Sequence, residues 1–423
     1  MSLSSRILFA MAAGIAAGAL GNLLNSSFSG GQVGATGQLL EAALFHGLFD
    51  IVGQVFIASL KLLVVPLVFV SLVCGTASLG GQGGMGRMAL KTLVLYLATT
   101  AIAISIALSL ALLIEPGSGQ QLHSDSVFQA AASPSLKEVL INIFPSNPVR
   151  AMAEGNMLQV IVFALLFGLA VSRAGERGAG VAEGFEAVNR VIMEMITLLM
   201  QLAPYGVFCL LAKILYDTGF SLIAQLLAYF STVVLALLVH AFVVYPTLLK
   251  GFTGLSPLRF LRHLRRVTLF GFSTASSNAT LPVTLETAEK KLGVDKSVAS
   301  FTVPLGATIN MDGTAIMQGV ATVFIAQTYQ VDIGVVGYLT VILTATLASI
   351  GTAGVPGVGL VTLALVLQQV GLPVEGIALI IGVDRLLDML RTAVNVSGDS
   401  AVSCVVASSE KKLDRRVFYS DAD

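Results

Sequence analysis

Apolar residues recur along this chain in runs long enough to cross a lipid bilayer. A helix rises about 1.5 Å per residue, so roughly 20 apolar residues span the hydrocarbon core. Polar or glycine-rich stretches separate the runs, which makes each run a separate predicted helix. Six such spans are predicted, at about 7–24, 48–79, 90–114, 155–173, 186–215 and 221–248.

The distribution of Lys and Arg predicts how these spans are oriented. No Lys or Arg lies between Arg6 and Lys61, so the Asn25–Gln38 loop is expected outside and Met1 in the cytoplasm. The basic cluster within Lys250–Arg266 and the basic tail 411–423 then also fall inside. Because many spans follow the first one, Arg6–Leu24 is interpreted as a retained helix and not as a signal peptide. The predicted location is the cell's inner (plasma) membrane, with several spans and both termini cytoplasmic.

Two later hydrophobic segments are interrupted in their middle. Residues 267–285, VTLFGFSTASSNATLPVTL, have basic residues on both flanks, which predicts a re-entrant helical hairpin with its tip at Ser273–Pro282. Residues 333–370 carry no charge and are broken by SIGTAGVPGVG, which predicts a second hairpin entering from outside. Between them, the segment from about 299 to 326 is expected to cross outward as a span.

The last apolar segment, Ile380–Ala407, carries a polar stripe. At about 100° per residue, five polar side chains fall within an arc of roughly 80° on a helix. They are Asp384, Asp388, Arg391, Asn395 and Asp399. Charges at this depth cost at least a few kcal/mol each unless they are paired or line a wet cavity. The stripe is therefore predicted to bind a charged solute and its coupling ions, although Asp388 and Arg391 could also form a purely structural i,i+3 ion pair.

Composition agrees with a membrane protein and excludes several functions. Only 11% of the 423 residues are charged, against about 25% in soluble proteins. The fold class predicted is an all-α polytopic membrane protein. Net charge is zero and no basic cluster is interleaved with aromatics, so no nucleic-acid partner is expected. The three Cys and four His form no cluster, and no nucleophile–base pair is visible, so neither a cofactor nor an enzyme activity is predicted.

Four motifs, in this order and spacing, resemble the dicarboxylate/amino acid:cation symporters, the family of the excitatory amino-acid transporters. They are SSNATLP, NMDGTA, GTAGVPGVG and DRLLDMLRTAVNVSGD, and LKLLVVPLVFVSLV and NPVRAMAEGNMLQVIVFALLFGLAVS upstream extend the likeness. The resemblance implies eight transmembrane helices, two re-entrant hairpins and inverted repeats. It also implies a homotrimer in which a mobile transport domain moves as an elevator against a static scaffold.

The resemblance also implies a division of the chain. The scaffold would hold 1–87 (helices 1 and 2) and, after an extracellular connection, helices 4 and 5 within 116–216. The transport domain would hold 88–115 (helix 3) and 217–410, with hairpins at about 256–288 and about 333–370, and 411–423 would be a cytoplasmic tail.

Carried over by position, the resemblance implies an acidic amino acid as substrate. Arg391 would hold its side-chain carboxylate and Asp388 its ammonium, roles that a planar guanidinium and a buried carboxylate suit. The substrate-binding set would be Ala275, Ser276, Ser277, Thr314, Val355, Gly359, Asp388, Arg391, Thr392 and Asn395.

Sodium ions are the co-transported cations that the resemblance implies, with no resident cofactor. One site would use Gly306, Asn310, Asn395 and Asp399, and a second Tyr96, Thr99, Thr100, Asn310 and Asp312. A third would use backbone carbonyls of Thr308, Ser349, Ile350 and Thr352. Oxygen ligands of low net charge suit a monovalent cation.

Two alternatives stay open. The transporter could be proton-coupled and take acidic amino acids or C4-dicarboxylates, although proton-coupled relatives tend to depart from NMDG and from the carboxylate at Asp399. A passive ion channel could use the same stripe. Several relatives carry an arginine at the position of Ala275 or Met389, and this chain carries none there; Arg385 is expected to point elsewhere on the helix.

Overall fold

A computed structural model describes residues 3–28, 41–77, 85–118, 144–218, 221–350, 352 and 354–420. Most of the predicted Asn25–Gln38 loop and of the 115–150 connection lies outside these residues. The described part of the chain is helical and contains no β-strand, which confirms the all-α class. The helices of its first half are α1 (Leu3–Phe28), α2 (Asp50–Ala77, preceded by a π-helix at Glu41–Phe49), α3 (Met85–Ile114), α4 (Pro148–Glu154), α5 (Met157–Arg173), α6 (Glu176–Met200) and α7 (Ala203–Thr218).

The fifth predicted span is wrong as a single helix. The segment 186–215 is divided between α6 and α7, which meet at a bend of 48°. Pro204 is the second residue of α7, and a proline has no N–H to donate to the carbonyl one turn earlier. The continuous helix therefore ends at Met200.

Helix α1 packs along α7 through small residues. An added Cβ at Gly14 would lie 2.7 Å from the Phe208 carbonyl oxygen, and one at Gly18 would overlap the Ala212 carbonyl oxygen. Glycines spaced by four let two helix backbones approach closely, which is a common packing mode between membrane helices. Helix α2 contacts α5, α6 and α7, and α1 packs on α7, so α1, α2 and α5–α7 form one connected group of helices.

The second half of the chain has shorter elements. They are α8 (Ser221–Val239), a π-helical turn (His240–Val244), α9 (Tyr245–Thr253), α10 (Pro257–His263), α11 (Arg265–Thr274), α12 (Ser277–Lys290), α13 (Lys296–Ile309), α14 (Asp312–Thr328), α15 (Gly334–Ser349), α16 (Val358–Gln369), α17 (Ile377–Ser409) and α18 (Arg415–Tyr419).

Both interrupted segments are helical hairpins. The first hairpin, α11 and α12, turns at Ala275 and Ser276, where Ala275 adopts a left-handed backbone (φ 50°). Such a conformation costs a residue with a Cβ about 1–2 kcal/mol. The tip is shorter than the predicted Ser273–Pro282, because Pro282 lies inside α12. The second hairpin, α15 and α16, turns between Ile350 and Gly357.

The segment predicted to cross at 299–326 is interrupted, which the sequence analysis did not anticipate. Helix α13 ends at Ile309 and α14 begins at Asp312, with Asn310 extended (φ −88°, ψ 97°). The Asn310 side chain donates hydrogen bonds to α17 instead of the solvent, so tertiary contacts stabilise the break. The interruption leaves backbone groups of both half-helices free for other partners.

Helix α17 is the central rod of the second half. Its 33 residues span about 50 Å, and it contacts α8, α9, α11, α12, α13 and α14. At its end Glu410 accepts from Lys91 (2.6 Å) and Arg87 (2.9 Å) of α3, and these contacts lower the pKa of Glu410 to about 2. Helix α3 in turn packs along α14.

Length and apolar composition identify only part of the predicted spans. Four described helices are long and apolar enough to cross a membrane, and there are five such spans if the bent pair α6 and α7 counts as one span. Helix α17 is long enough but its polar stripe lowers its hydropathy, α13 with α14 is broken, and α5 is apolar but only 17 residues long. With these included, each of the eight predicted spans has a helical counterpart.

The close approach of α1 and α7 makes Gly18→Ala a test of this packing. The new methyl group must displace the α7 backbone, and overpacking of this kind costs about 1–3 kcal/mol. We expect a lower melting temperature in detergent. The matched control is Gly184→Ala in α6, where no atom lies within 4 Å of the new methyl group and helix propensity favours alanine. Equal melting temperatures for the two variants would contradict the packing described here.

Candidate ligand and cation site

The polar stripe of α17 is buried among the surrounding helices. Arg391 is only 1% exposed, although it is the largest polar side chain of the stripe. Its Nη1 donates to Asp384 Oδ1 (2.8 Å) and its Nη2 donates to Asp388 Oδ1 (2.7 Å). One guanidinium therefore bridges two carboxylates, one turn and two turns earlier on the same helix.

Asp388 joins α17 to the second hairpin. Besides Arg391, its carboxylate accepts at Oδ2 from the backbone N–H of Gly357 (3.1 Å). Arg385 Nη1 approaches the same oxygen at 3.4 Å, so the expectation that Arg385 points elsewhere is wrong. A flexible arginine reaches across the three-residue spacing that separates it from Asp388. The aspartate thus lies between two arginines and a hairpin tip.

The two hairpin tips contact each other directly above this cluster. Ser276 Oγ donates to the Gly354 carbonyl oxygen (2.7 Å), and the Asn278 N–H donates to the same oxygen (3.2 Å). Ser276 Oγ also accepts from the Ala279 N–H (3.2 Å), so one hydroxyl both caps α12 and binds the second tip. The arrangement closes the tips over the charged cluster.

The other predicted substrate contacts surround the same cluster. Gly359, the second residue of α16, lies so close to Arg391 that an added Cβ would be 3.1 Å from Nη2. Thr392 Oγ1 donates to the Asp388 carbonyl oxygen (2.9 Å). Asn395 Oδ1 accepts from the Gly313 N–H (2.7 Å), which places α14 against α17 next to the buried Thr314. Ala275 and Ser277 are buried at the first tip and Val355 is half-buried at the second.

The first predicted cation set converges at the break between α13 and α14. Asn310 Nδ2 donates to Asp399 Oδ1 (2.9 Å) and to the Asn395 carbonyl oxygen (3.0 Å). Asn310 Oδ1 is buried and has no partner among the described residues. Gly306 faces both Asp399 and Tyr96, where any Cβ would overlap the Asp399 carboxylate. Only glycine lets these oxygens approach each other here.

The second set centres on Asp312, the first residue of α14. Thr100 Oγ1 donates to Asp312 Oδ1 (2.6 Å), and Thr99 and Thr100 also donate to the Tyr96 carbonyl oxygen, which keeps all three within one turn of α3. Asp312 is fully buried. It therefore needs polar partners on every side.

Two of these partners were missed by the sequence analysis. The Tyr245 hydroxyl donates to Asp312 Oδ2 (2.8 Å), and His240 Nε2 lies 3.0 Å from the same oxygen. His240 begins the π-helical turn after α8 and Tyr245 directly follows that turn, whose extra residue rotates the following side chains. An ionisable His in the middle of an apolar span was the available signal, because such residues are rare in membrane helices.

The third predicted set is only partly brought together. Ser349, Ile350 and Thr352 lie in one turn at the second tip, where Thr352 Oγ1 donates to the Ala348 carbonyl oxygen (2.9 Å) and its N–H donates to the Ser349 carbonyl oxygen (3.3 Å). Thr308 is exposed on α13. The tip reaches that helix at Gly354, whose added Cβ would lie 2.6 Å from the Ala307 carbonyl oxygen.

The arrangement can bind a small zwitterion and cations. Arg391 presents a fork suited to a carboxylate, and its buried Nε has no partner among the described residues. Asp388 lies where an ammonium could replace the Gly357 N–H. Asp399 and Asp312 supply carboxylate oxygens beside amide, hydroxyl and carbonyl oxygens, the ligand type that hard cations prefer.

Comparisons with known proteins show what this chain is similar to. The model of the sodium:dicarboxylate symporter family matches residues 3–409. The proton/sodium-glutamate symport protein of Bacillus subtilis is 34% identical over 364 residues, 84% of each chain. The human excitatory amino acid transporter 3 is 34% identical over 407 residues, covering 84% of this chain and 78% of its own. The proton/glutamate-aspartate symporter of Escherichia coli is 36% identical over 374 residues, covering 86% and 85%.

Removal of the Tyr245 hydroxyl tests the Asp312 cluster. In Tyr245→Phe a fully buried carboxylate loses a hydrogen bond, and bonds to charged groups contribute about 1.5–3 kcal/mol. We expect a clearly lower melting temperature. Tyr205→Phe makes the same chemical change at an exposed tyrosine of α7 and should leave the melting temperature unchanged. Equal effects of the two substitutions would show that Asp312 does not depend on Tyr245.

Proposed function

Because this chain belongs to the sodium:dicarboxylate symporter family, we propose that it takes up L-aspartate, L-glutamate or both together with sodium ions. The family and the relatives are transporters, and the chain is an integral membrane protein and not an enzyme. The observation that carries the substrate class is the pair of carboxylates on Arg391, closed by two hairpin tips. The names of the bacterial relatives, which specify glutamate and aspartate, support this choice.

The substrate exchanges partners with the protein in this proposal. Its side-chain carboxylate binds the Arg391 guanidinium at Nε and Nη2, while Asp384 keeps Nη1 and holds the arginine in place. Asp388 is then released from Nη2 and binds the substrate ammonium. A C4-dicarboxylate has no ammonium and would place a carboxylate against Asp388, so like-charge repulsion disfavours it.

The second hairpin is the proposed gate. Three hydrogen bonds hold its tip over the site, two to the first hairpin and one from Gly357 to Asp388. Withdrawal of this tip opens the site to one side of the membrane. Since the substrate ammonium and the Gly357 N–H bind the same Asp388 carboxylate, substrate binding and gate position become coupled.

Sodium neutralises two buried carboxylates, Asp399 and Asp312, and among the described residues Asp312 has only His240 as a basic neighbour. Among the described residues neither Asp312 nor Asp399 lies within 4 Å of a Lys or Arg, although both are fully or almost fully buried. An unpaired buried charge costs several kcal/mol, which a bound cation offsets. Asn310 Oδ1, which has no partner among the described residues, points to the same place and suits a cation ligand.

Alternating access is proposed to follow the division of the helices. Helices α1, α2 and α5–α7 would be the static scaffold of a homotrimer, and α3 with α8–α17 the moving domain. The contacts support this division, since α17 packs mainly against α8, α9, α11, α13 and α14. Both termini are placed in the cytoplasm because the basic residues of the first hairpin and of the tail then lie inside.

Proton coupling is the alternative function. It is supported by the relatives whose names specify protons, one with sodium and one without. Intact Asp399 and NMDG favour sodium in this chain.

Uptake by proteoliposomes distinguishes these functions. With an inward sodium gradient we expect concentrative uptake of labelled L-aspartate or L-glutamate, because the gradient supplies the driving force. Replacement of external sodium by choline, at constant pH, should abolish uptake, and excess succinate should compete poorly. Uptake that persists in choline and follows an imposed pH gradient would support proton coupling instead, and equilibration without accumulation would indicate a channel.

The role of Arg391 is tested by calorimetric titration with L-aspartate in sodium. Arg391→Ala should weaken binding at least about tenfold, since each hydrogen bond to a charged group contributes about 1.5–3 kcal/mol. The single variant leaves two buried carboxylates with less positive charge, so Asp384→Asn/Arg391→Gln restores the charge balance and should fold but still not bind. Arg173→Gln, which removes an exposed guanidinium at the end of α5, is the control. Wild-type affinity in the folded double variant would contradict the proposed contact.

A further inference from the structure

Two cavities on the side of the basic cluster meet at a pair of arginines. An apolar groove of about 580 Å³ lies between α8 with the π-helical turn that follows it, α10, α11 and α17. Its wall includes Leu237, Phe242, Leu261, Leu390 and Val394. A basic pocket of about 880 Å³ adjoins it, and Arg262 and Arg265 line both cavities. The groove therefore opens onto positive charge.

The two arginines are the available charges of this pocket. Both guanidinium groups are exposed, and among the described residues neither forms an ion pair or hydrogen bond. Their neighbours are engaged: Arg259 donates to the Tyr419 carbonyl oxygen (2.7 Å), and Arg266 and Lys290 both contact Glu286. The helical backbone continues through Leu264, so the three-residue spacing places Arg262 and Arg265 on the same side.

We propose that this site binds an anionic phospholipid, with the phosphate on Arg262 and Arg265 and an acyl chain in the apolar groove. The groove is large enough for part of a hydrocarbon chain, and its wall is mostly aliphatic and aromatic. Guanidinium groups bind phosphate oxygens with two hydrogen bonds each. A basic cluster alone follows from membrane topology. The additional observation here is that the apolar groove ends at Arg262 and Arg265, which form no ion pair among the described residues.

The position links the lipid to the transport elements. Arg265 begins α11, which leads directly to the tip at Ala275, and Leu390 and Val394 are neighbours of Arg391 and Asn395 on α17. A lipid in the groove contacts both elements at once. This site is separate from the substrate cluster, so its test needs no transport activity.

The chain contains no tryptophan, which allows a single reporter. Phe242→Trp places an indole at the wall of the groove, at a position that is already aromatic and 57% exposed. The variant is reconstituted in phosphatidylcholine vesicles with a small fraction of acyl-brominated phosphatidylglycerol or, in parallel, brominated phosphatidylcholine. We expect roughly thirtyfold tighter binding of the anionic lipid, measured by fluorescence quenching, since each of the two arginines near the headgroup contributes on the order of 1 kcal/mol and about 1.4 kcal/mol is tenfold in affinity.

Two further variants in the same background test the cause. Arg262→Gln/Arg265→Gln should remove the preference for the anionic lipid. Arg173→Gln/Arg177→Gln, which removes two basic residues at the end of α5 and the start of α6, should retain it. Leu227→Trp reports from an exposed position near the other end of the same candidate span, Ala224–Thr253, and should be quenched equally by both lipids.

The proposal is wrong if Phe242→Trp is quenched equally by the two lipids, or if both arginine double variants reduce the preference alike. It is also wrong if inorganic phosphate reverses the quenching at concentrations that merely saturate a soluble anion site, because the acyl chain would then add nothing. The proposal is supported if the preference for the anionic lipid over phosphatidylcholine survives added phosphate and is lost only in Arg262→Gln/Arg265→Gln.

Discussion

The structure depends on keeping Arg391 charged inside a protein core. A guanidinium removed from water costs several kcal/mol, and two carboxylates with good hydrogen-bond geometry offset that cost. Both carboxylates come from the same helix, at spacings that an α-helix brings to one side. This arrangement places the charged cluster on a single helix, α17. The helices that pack against α17 must therefore supply polar groups to the cluster or exclude water from it.

The surrounding elements supply those groups by interrupting their own helices. The first hairpin turns through a strained Ala275, the second hairpin turns near Gly357, and α13 stops at Asn310. Each interruption releases backbone N–H or carbonyl groups that a continuous helix would consume. Gly357 N–H binds Asp388, and the Asn395 side chain accepts from Gly313 at the start of α14. The breaks are thus the reason that a charged cluster can be solvated by protein alone.

Asp312 shows how distant segments are tied together by a single buried charge. Its two oxygens accept hydrogen bonds from the hydroxyl groups of Thr100 on α3 and Tyr245 on α9. The imidazole of His240, at the π-helical turn, lies beside one of these oxygens. Segments separated by more than 200 positions in the chain therefore share one carboxylate. A cation bound there changes the charge that all of these helices contact, which gives a physical route from ion binding to the helices around the site.

Much of this could be predicted from the amino-acid sequence, because the bilayer restricts the solutions. Apolar runs, the two interrupted segments and the stripe on α17 determined the all-α class, the helical hairpins and the burial of Asp388, Arg391 and Asp399. The partners of those residues were decided only by tertiary structure. Periodicity assigns a residue to a face of its own helix and says nothing about which helix lies opposite. That is why His240 and Tyr245 were missed, why Arg385 was assigned the wrong direction, and why the break at Asn310, which is held open by α17, was not anticipated.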